Sequence, residues 1–181
     1  MPSFGYISHP MAKTLRPLTP ERVRAGVLRH VQRYSAPRQH VRRLYLRKID
    51  TSLRSFEGDR EVLVAALDEA LGTAEHYGYI NDARFAEVRA ARGIARGVSP
   101  RQIQARLGAK GIDSAAIEAG LASTEGNPEV LACAAYVKRR RMGGWRPPEE
   151  RVLHRERDLA RLGRAGFSYT VARASLDVEG D

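Results

Sequence analysis

A phrase of seven residues occurs twice in this chain at a constant spacing of 63 residues. The phrase joins Pro-Arg-Gln, Arg-Leu and Ile-Asp, at 37–39, 43–44 and 49–50 and again at 100–102, 106–107 and 112–113. A weaker third copy pairs Arg161-Leu162-Gly163 and Gly166 with Arg106-Leu107-Gly108 and Gly111. Self-similarity at a fixed period predicts stacked helical or stranded units. Such arrays usually bind extended partners rather than run chemistry in one pocket.

The hydrophobic periodicity predicts an all-α fold of about nine helices, in tandem three-helix repeats that form an elongated, curved array. Thr19, Ser35, Asn81 or Asp82, Asp113 and Ser168 are predicted helix caps. Gly111 and Gly166 are expected to end a helix in each of two repeats. Leu44, Leu107 and Leu162 are then expected at equivalent core positions.

Four segments follow from this pattern. Residues 1–18 are expected to be a flexible lead, with no apolar signal-peptide core. The first module covers 19–58 and includes part of 59–76 in one interpretation, and the central module covers 59–124. The third module covers 125–181 and ends in an acidic tail.

The charge is large and unevenly distributed. The net charge is +10, divided as +9 in residues 1–60, −3 in 61–130 and +4 in 131–181. This asymmetry indicates contact with nucleic acid or with an acidic protein surface. The alternative interpretation is that a basic stripe on a helix is merely a solvated face. No apolar stretch is long enough for a membrane span, and the single cysteine, Cys133, fits a reducing compartment and burial in a core. We therefore expect a cytoplasmic protein.

The sequence offers no catalytic constellation. A P-loop is absent, the five histidines lack metal-ligand spacing, and one cysteine is too few for a zinc site. The carboxylate pairs Glu149/Glu150 and Glu156/Asp158 lie among arginines at helical spacing, which predicts surface ion pairs. We expect a binding protein without cofactor or metal rather than an enzyme.

One segment resembles a known family. Residues 77–86 read Tyr-Gly-Tyr-Ile-Asn-Asp-Ala-Arg-Phe-Ala, which is similar to the core signature of RecX, the bacterial regulator of the RecA recombinase. The similarity continues through Arg92, Gly93, Gly97, Ile103, Leu107, Lys110, Gly111, Ile112, Ile117 and Leu121, and then in 162–167. It covers about residues 20–176 and is most specific in the central module.

Two segments depart from the family pattern. Residues 52–62 look like an added or altered linker, and 142–148 contain the only tryptophan, Trp145. Trp145 is either an exposed anchor or a loop residue folded onto a bundle, and we favour the second.

The resemblance implies a non-enzymatic regulator, mainly an inhibitor, that binds the RecA–DNA filament. It implies effects on the ATPase, on strand exchange and on filament stability in recombination, DNA repair and the SOS response. A monomer with weak, non-specific binding of single- or double-stranded DNA is expected. From charge alone, the candidate contacts to RecA or DNA are Arg38, Arg42, Arg43, Arg101, Arg106, Lys138, Arg139, Arg140 and Arg141.

Two other functions stay open. One is a direct DNA-binding protein that acts without RecA, with Ser99–Lys110 as a recognition helix of a helix-turn-helix unit. The net charge of −3 in 61–130 argues against it. The other is an enzyme whose site assembles from distant residues.

Overall fold

The computed structural model describes residues 16–179, and these fold into nine α-helices. The helices are α1 (Pro20–Arg33), α2 (Arg38–Leu53), α3 (Arg60–His76), α4 (Asp82–Ala95), α5 (Pro100–Ala109), α6 (Ser114–Ala122), α7 (Pro128–Arg140), α8 (Pro148–Arg164) and α9 (Tyr169–Asp177). Within this part of the chain, β-structure is limited to an isolated bridge between Gly144 and Glu179. The predicted all-α repeat array is confirmed. Most of the predicted flexible lead, 1–15, lies outside the described residues.

Side chains at the helix starts explain where several helices begin. Thr19, Asp59, Asn81, Asp113 and Asn127 each accept a hydrogen bond from the backbone N–H of a first-turn residue. A cap of this kind stabilises a helix by about 1 kcal/mol.

Two predicted caps behave differently. Ser35 does not cap α2, because Pro37 occupies the N-cap position and the helix begins at Arg38. Ser168 occupies the N-cap position of α9, but its side chain makes no capping hydrogen bond.

The first unit of the structure consists of α1, α2 and α3 around a single hydrophobic core. Val23 and Val27 of α1 and Leu67 of α3 are completely buried in this core, and Ile80 closes it. The sequence left the placement of 59–76 open between two modules. The buried side chains of α3 pack with α1 and α2, because its 3-4 apolar pattern gives it a continuous face for them.

The central unit (α4–α6) and the third unit (α7–α9) share one continuous core. This core runs from Phe85 of α4 to Leu176 of α9, and it includes Leu107, Cys133 and Leu162. Cys133 is buried as expected, and burial raises the pKa of its thiol. The two units therefore form one block, whereas the first unit has a core of its own.

The predicted equivalence of Leu44 with Leu107 and Leu162 is wrong. Leu107 and Leu162 are buried, but Leu44 is only partly buried and its neighbour Tyr45 takes the core position. The reason is that α2 continues as a helix through Ile49 to Leu53, whereas α5 ends before Gly111. Ile49 and its equivalent Ile112 are both buried, but the uninterrupted helix of α2 places Val41 and Tyr45 at four-residue steps before Ile49. These two positions lie one residue later than the equivalents of Ile103 and Leu107.

The repeated Pro-Arg-Gln lies where consecutive units meet. At the first joint, a Cβ on Gly111 would lie 2.5 Å from Cβ of Gln39, and Arg43 Nη2 donates to the carbonyl of Ala109 at 3.0 Å. Gly111 has a φ of 86°, a conformation that glycine adopts without strain. The start of α2 thus packs on the glycine turn of the central unit.

The second joint uses the same arrangement one unit later. Ser99 Oγ donates to the carbonyl of Ala165 at 2.7 Å, and Gln102 Nε2 donates to the same oxygen at 3.0 Å. Gly166 has a φ of 87°, and a Cβ there would lie 2.8 Å from Ser99 Oγ. The start of α5 packs on the glycine turn of the third unit, so the phrase recurs because the joint recurs.

The segment 142–148 folds onto the third unit. Trp145 is partly buried against the shared core, as favoured from the sequence, and Lys138 Nζ lies 4.8 Å from its ring centroid. Arg146 Nε and Nη2 each donate to Asp158 at 3.0 Å. Asp158 is 2 % exposed, so the prediction of a surface ion pair is wrong for this residue. The partner is a loop arginine that helical spacing within α8 does not reveal.

Candidate polyanion-binding surface

Five arginines converge on a cleft of about 550 Å³ between α5, α7 and α8. We call this the basic cleft; its arginines are Arg106, Arg139, Arg157, Arg161 and Arg164. Tyr136, Gln102 and Gly97 complete much of its wall, and no aspartate or glutamate lines it. Among the described residues, none of the five makes an ion pair with a carboxylate within 4.0 Å. The cleft therefore holds positive charge that no carboxylate on its walls neutralises.

The helix α8 presents three of these arginines because of their spacing. Arg157, Arg161 and Arg164 follow an i, i+4, i+7 pattern, which places them on one face of a helix. Asp158 and Leu162 are the buried residues of α8, and each follows one of these arginines at a rotation of about 100° around the helix. Their burial fixes the rotation of α8 and turns the arginines away from the core. At 1.5 Å of rise per residue, the three arginines extend over roughly 10 Å of helix.

A second groove adjoins the basic cleft. This α4–α5 groove of about 290 Å³ is bordered by Arg89, Arg92, Arg96, Arg106 and Lys110. Its floor is apolar and consists of Val98, Ile103 and Leu107. Arg106 and Val98 line both the groove and the cleft, so the two form one continuous surface, which we call the basic face.

Sequence reasoning missed most of the basic face. Seven of its nine basic residues were not among the candidate contacts: Arg89, Arg92, Arg96, Lys110, Arg157, Arg161 and Arg164. The charge of −3 for 61–130 concealed them, because that range includes the four acidic residues of α3. Residues 81–124 alone hold seven basic and four acidic side chains, a net charge of +3. Arginines at helical spacing in α4 and α8 were the available signal.

The candidate arginines of the first unit have partners within the chain. Arg38 Nε lies 3.0 Å from Glu75 Oε1, and Arg42 donates from Nε and Nη2 to both oxygens of Asp68 at 2.8 and 3.0 Å. The hydrogen bonds from Arg42 lower the pKa of Asp68. Arg43 serves the first joint. Contact of these three with RecA or DNA stays a prediction.

The other candidates lie in or near the basic face. Arg106 and Arg139 line the basic cleft, and Arg101 is exposed near the second joint, where its Cβ is 3.7 Å from a Cβ built on Gly166. Arg140 lies 5.9 Å from the ring centroid of Tyr136. Lys138 stacks on Trp145, as described above, and Arg141 ends α7 with a φ of 50°.

The described residues offer little for other kinds of site. Residues 16–179 contain no group of three or more His, Cys, Asp or Glu side chains that is placed to hold a metal ion. Within the same range, no helix combines the length and the apolar character that crossing a membrane requires.

Known proteins resemble this chain over most of its length. The "Regulatory protein RecX" of Myxococcus xanthus (strain DK1622) is 30% identical over 167 residues, which cover 91% of this chain and 89% of that protein. The chain belongs to the RecX family. The proteins of the same name from Thermobifida fusca (strain YX) and Stenotrophomonas maltophilia (strain K279a) are 33% and 34% identical, over 88% and 80% of this chain and 81% of each relative.

The family description also agrees with the units of the fold. A model of the second three-helix domain of RecX matches residues 81–121, which are the central unit α4–α6. The resemblance read from the sequence is therefore confirmed. All the basic side chains of the α4–α5 groove come from this RecX domain.

Proposed function

We propose that this chain is a regulator of RecA that binds the RecA–DNA filament and mainly inhibits it. The observation that carries the proposal is the relationship to proteins named "Regulatory protein RecX" over 91% of the chain. In this proposal the chain acts without catalysis, as a monomer in the cytoplasm, and its effects reach recombination, DNA repair and the SOS response.

The repeat architecture supports binding along a filament. Three units joined in series can contact more than one subunit of a helical polymer. Once one unit is bound, the others are held at a high effective concentration near the next subunits, which raises the overall affinity. A bound chain that spans neighbouring subunits would restrain the changes that accompany ATP hydrolysis and strand exchange. The basic face supports additional contacts to the phosphates of the DNA within the filament.

The test is the RecA ATPase on single-stranded DNA at physiological salt, with this chain added below the RecA concentration. We expect inhibition at chain concentrations too low to coat the same DNA without RecA. Binding to naked DNA is measured in parallel, because an inhibitor that merely competes for DNA must first occupy it. No effect on RecA, together with tight and salt-sensitive binding to naked DNA, would favour the direct DNA-binding function instead.

A further inference from the structure

We infer that the basic cleft binds a single strand of nucleic acid through its phosphates, and that the central and third units build this site jointly. The inference deepens the proposed function by naming the surface and the polyanion, and it rests on that function for its biological setting. Arg106 comes from α5, Arg139 from α7, and Arg157, Arg161 and Arg164 from α8.

The charge of the cleft favours a polyanion. Five arginines line one volume of about 550 Å³ with no carboxylate on the walls, so their like charges repel one another. A bound chain of phosphates relieves that repulsion, and each guanidinium can donate two parallel hydrogen bonds to one phosphate. Arg38 and Arg42 of the first unit differ, because each already has a carboxylate partner.

The size of the cleft favours a single strand over a duplex. A volume of about 550 Å³ is within the range of small-molecule pockets, which favours a flexible strand that can place single nucleotides in the cleft over a rigid duplex. A single strand exposes its bases, and proteins bind such strands with a basic groove and aromatic rings. Tyr136 supplies a ring on the wall, packed edge-on against Phe167 at 5.7 Å between centroids. The apolar floor of the α4–α5 groove offers a second place for a base.

The second joint fixes the shape of the site. The Ala165 carbonyl holds Ser99 and Gln102, which ties the start of α5 to the end of α8. Gln102 also lines the cleft, and its Oε1 accepts a hydrogen bond from Arg106 Nη2 at 3.3 Å. Gln102 is therefore a positioning residue that couples the joint to the arginines.

The test measures binding of a fluorescent oligothymidine to the full chain without RecA. The variant Arg157→Glu/Arg161→Glu reverses two charges four residues apart on α8, and Arg29→Glu/Arg33→Glu makes the same change on exposed positions of α1. We expect the first variant to weaken binding by about tenfold or more and to reduce the slope of log K against log salt by about 1.4, since each phosphate contact contributes about 0.7. The α1 variant should bind nearly as well as the original chain.

A third variant tests the joint. Gln102→Ala removes no charge, but it removes one of the two donors to the Ala165 carbonyl and the acceptor that holds Arg106. We expect a loss of about threefold in affinity, smaller than that of the double reversal because every charge is kept. Unchanged affinity would overturn the role of the joint. Circular dichroism checks that all three variants stay helical.

Several results would overturn the inference. Equal losses of oligothymidine affinity in the α8 and α1 variants would mean that the whole chain attracts the strand diffusely. If polyglutamate displaced the fluorescent strand as strongly as unlabelled oligothymidine does, the cleft would be a site for an acidic protein. Tighter binding of a duplex, equally sensitive to the α8 change, would exclude a single-strand site. The proposed function fails separately: a chain that binds oligothymidine through α8 but leaves the RecA ATPase unchanged keeps the site and loses the regulation.

Discussion

The first unit and the block formed by the central and third units use the same helical repeat but are stabilised differently. The core of the first unit is closed around α1–α3, whereas one core runs through α4–α9. At the first joint, the described side-chain hydrogen bonds are polar contacts of Arg38 with Asp82 and Arg43 with Ala109. At the second joint, hydrogen bonds to Ala165 lie over a continuous apolar core. A repeated sequence therefore specifies where units meet, but not how firmly.

The ion pairs show the same contrast. Both regions contain an arginine that donates two hydrogen bonds to an aspartate: Arg42 to Asp68 in the first unit and Arg146 to Asp158 in the third. The Asp68 side chain is 39% exposed, whereas that of Asp158 is 3% exposed. Water screens the first pair and is excluded from the second, so the loss of one partner has very different consequences.

The largest expected effect is the loss of Asp158. Asp158→Ala leaves the largely buried Arg146 with only the half-exposed Glu150, 3.7 Å from its Nη1, as an ionic partner. We expect the free energy of unfolding to fall by about 3 kcal/mol, the low end for a broken buried pair. The matched variant Asp68→Ala removes a similar pair at the surface and should cost under about 1 kcal/mol. Urea unfolding measures both. Equal costs would mean that burial does not distinguish the two regions.

The next effect concerns the packing of α7 on the central unit. Gly97 has a φ of 69°, and a Cβ there would lie 2.6 Å from the backbone nitrogen of Tyr136. Gly97→Ala should destabilise the shared block by about 3 kcal/mol, through strain in the left-handed conformation and overpacking. The control is Gly72→Ala in α3, where a Cβ would meet no atom within 4 Å beyond the adjacent residues and the backbone of its own helix, and it should stabilise that helix by up to about 1 kcal/mol. Thermal unfolding should show a lower midpoint for Gly97→Ala and a higher midpoint for Gly72→Ala.

Separate cores also predict separate opening. In native-state hydrogen exchange at rising urea, amides of α1–α3 should exchange with one free energy and those of α4–α9 with another, because each core opens as a cooperative unit. The difference between these two free energies of opening should increase when Arg43→Ala removes a contact of the first joint. A single shared free energy for α1–α9 would show that the polar joint couples the two regions fully.

The smallest expected effect is a pH dependence of the first unit. Arg42 lowers the pKa of Asp68 below the ordinary carboxyl value of 3.8. The contribution of this pair to stability is therefore complete above that value, and it is lost as the pH falls through the lowered pKa. Between about pH 5 and pH 3 the first unit should lose less than about 1 kcal/mol on this account. The variant Asp68→Asn should not show this part of the loss in stability. Urea unfolding midpoints of both proteins at about pH 5 and about pH 3 measure the difference.

Much of the fold was predictable because its causes are local. Apolar residues at helical spacing fixed the number of helices, and caps such as Thr19 and Asn81 gave two of their starts within about one residue. The RecX signature at 77–86 identified the family. Leu44 was misassigned because identical residues at a spacing of 63 do not reveal that α2 continues as a helix where α5 ends.

The candidate site was less predictable because it depends on long-range packing. The sequence named Arg106 and Arg139, but it did not bring them together with Arg157, Arg161 and Arg164. Those side chains come from three helices that only the second joint and the shared core place side by side.

By itself, the sequence determined the repeat, the all-α class, several helix starts and the family, since these depend on periodicity, capping and similarity along the chain. The tertiary structure decided that α3 packs with α1 and α2, that Asp158 is buried against Arg146, and that the basic side chains form one face. The physical reason is that burial and the summed electric field depend on distances between segments far apart in sequence. A net charge summed over a stretch of sequence combines helices that face different directions, so it conceals a charged face that only some of them form.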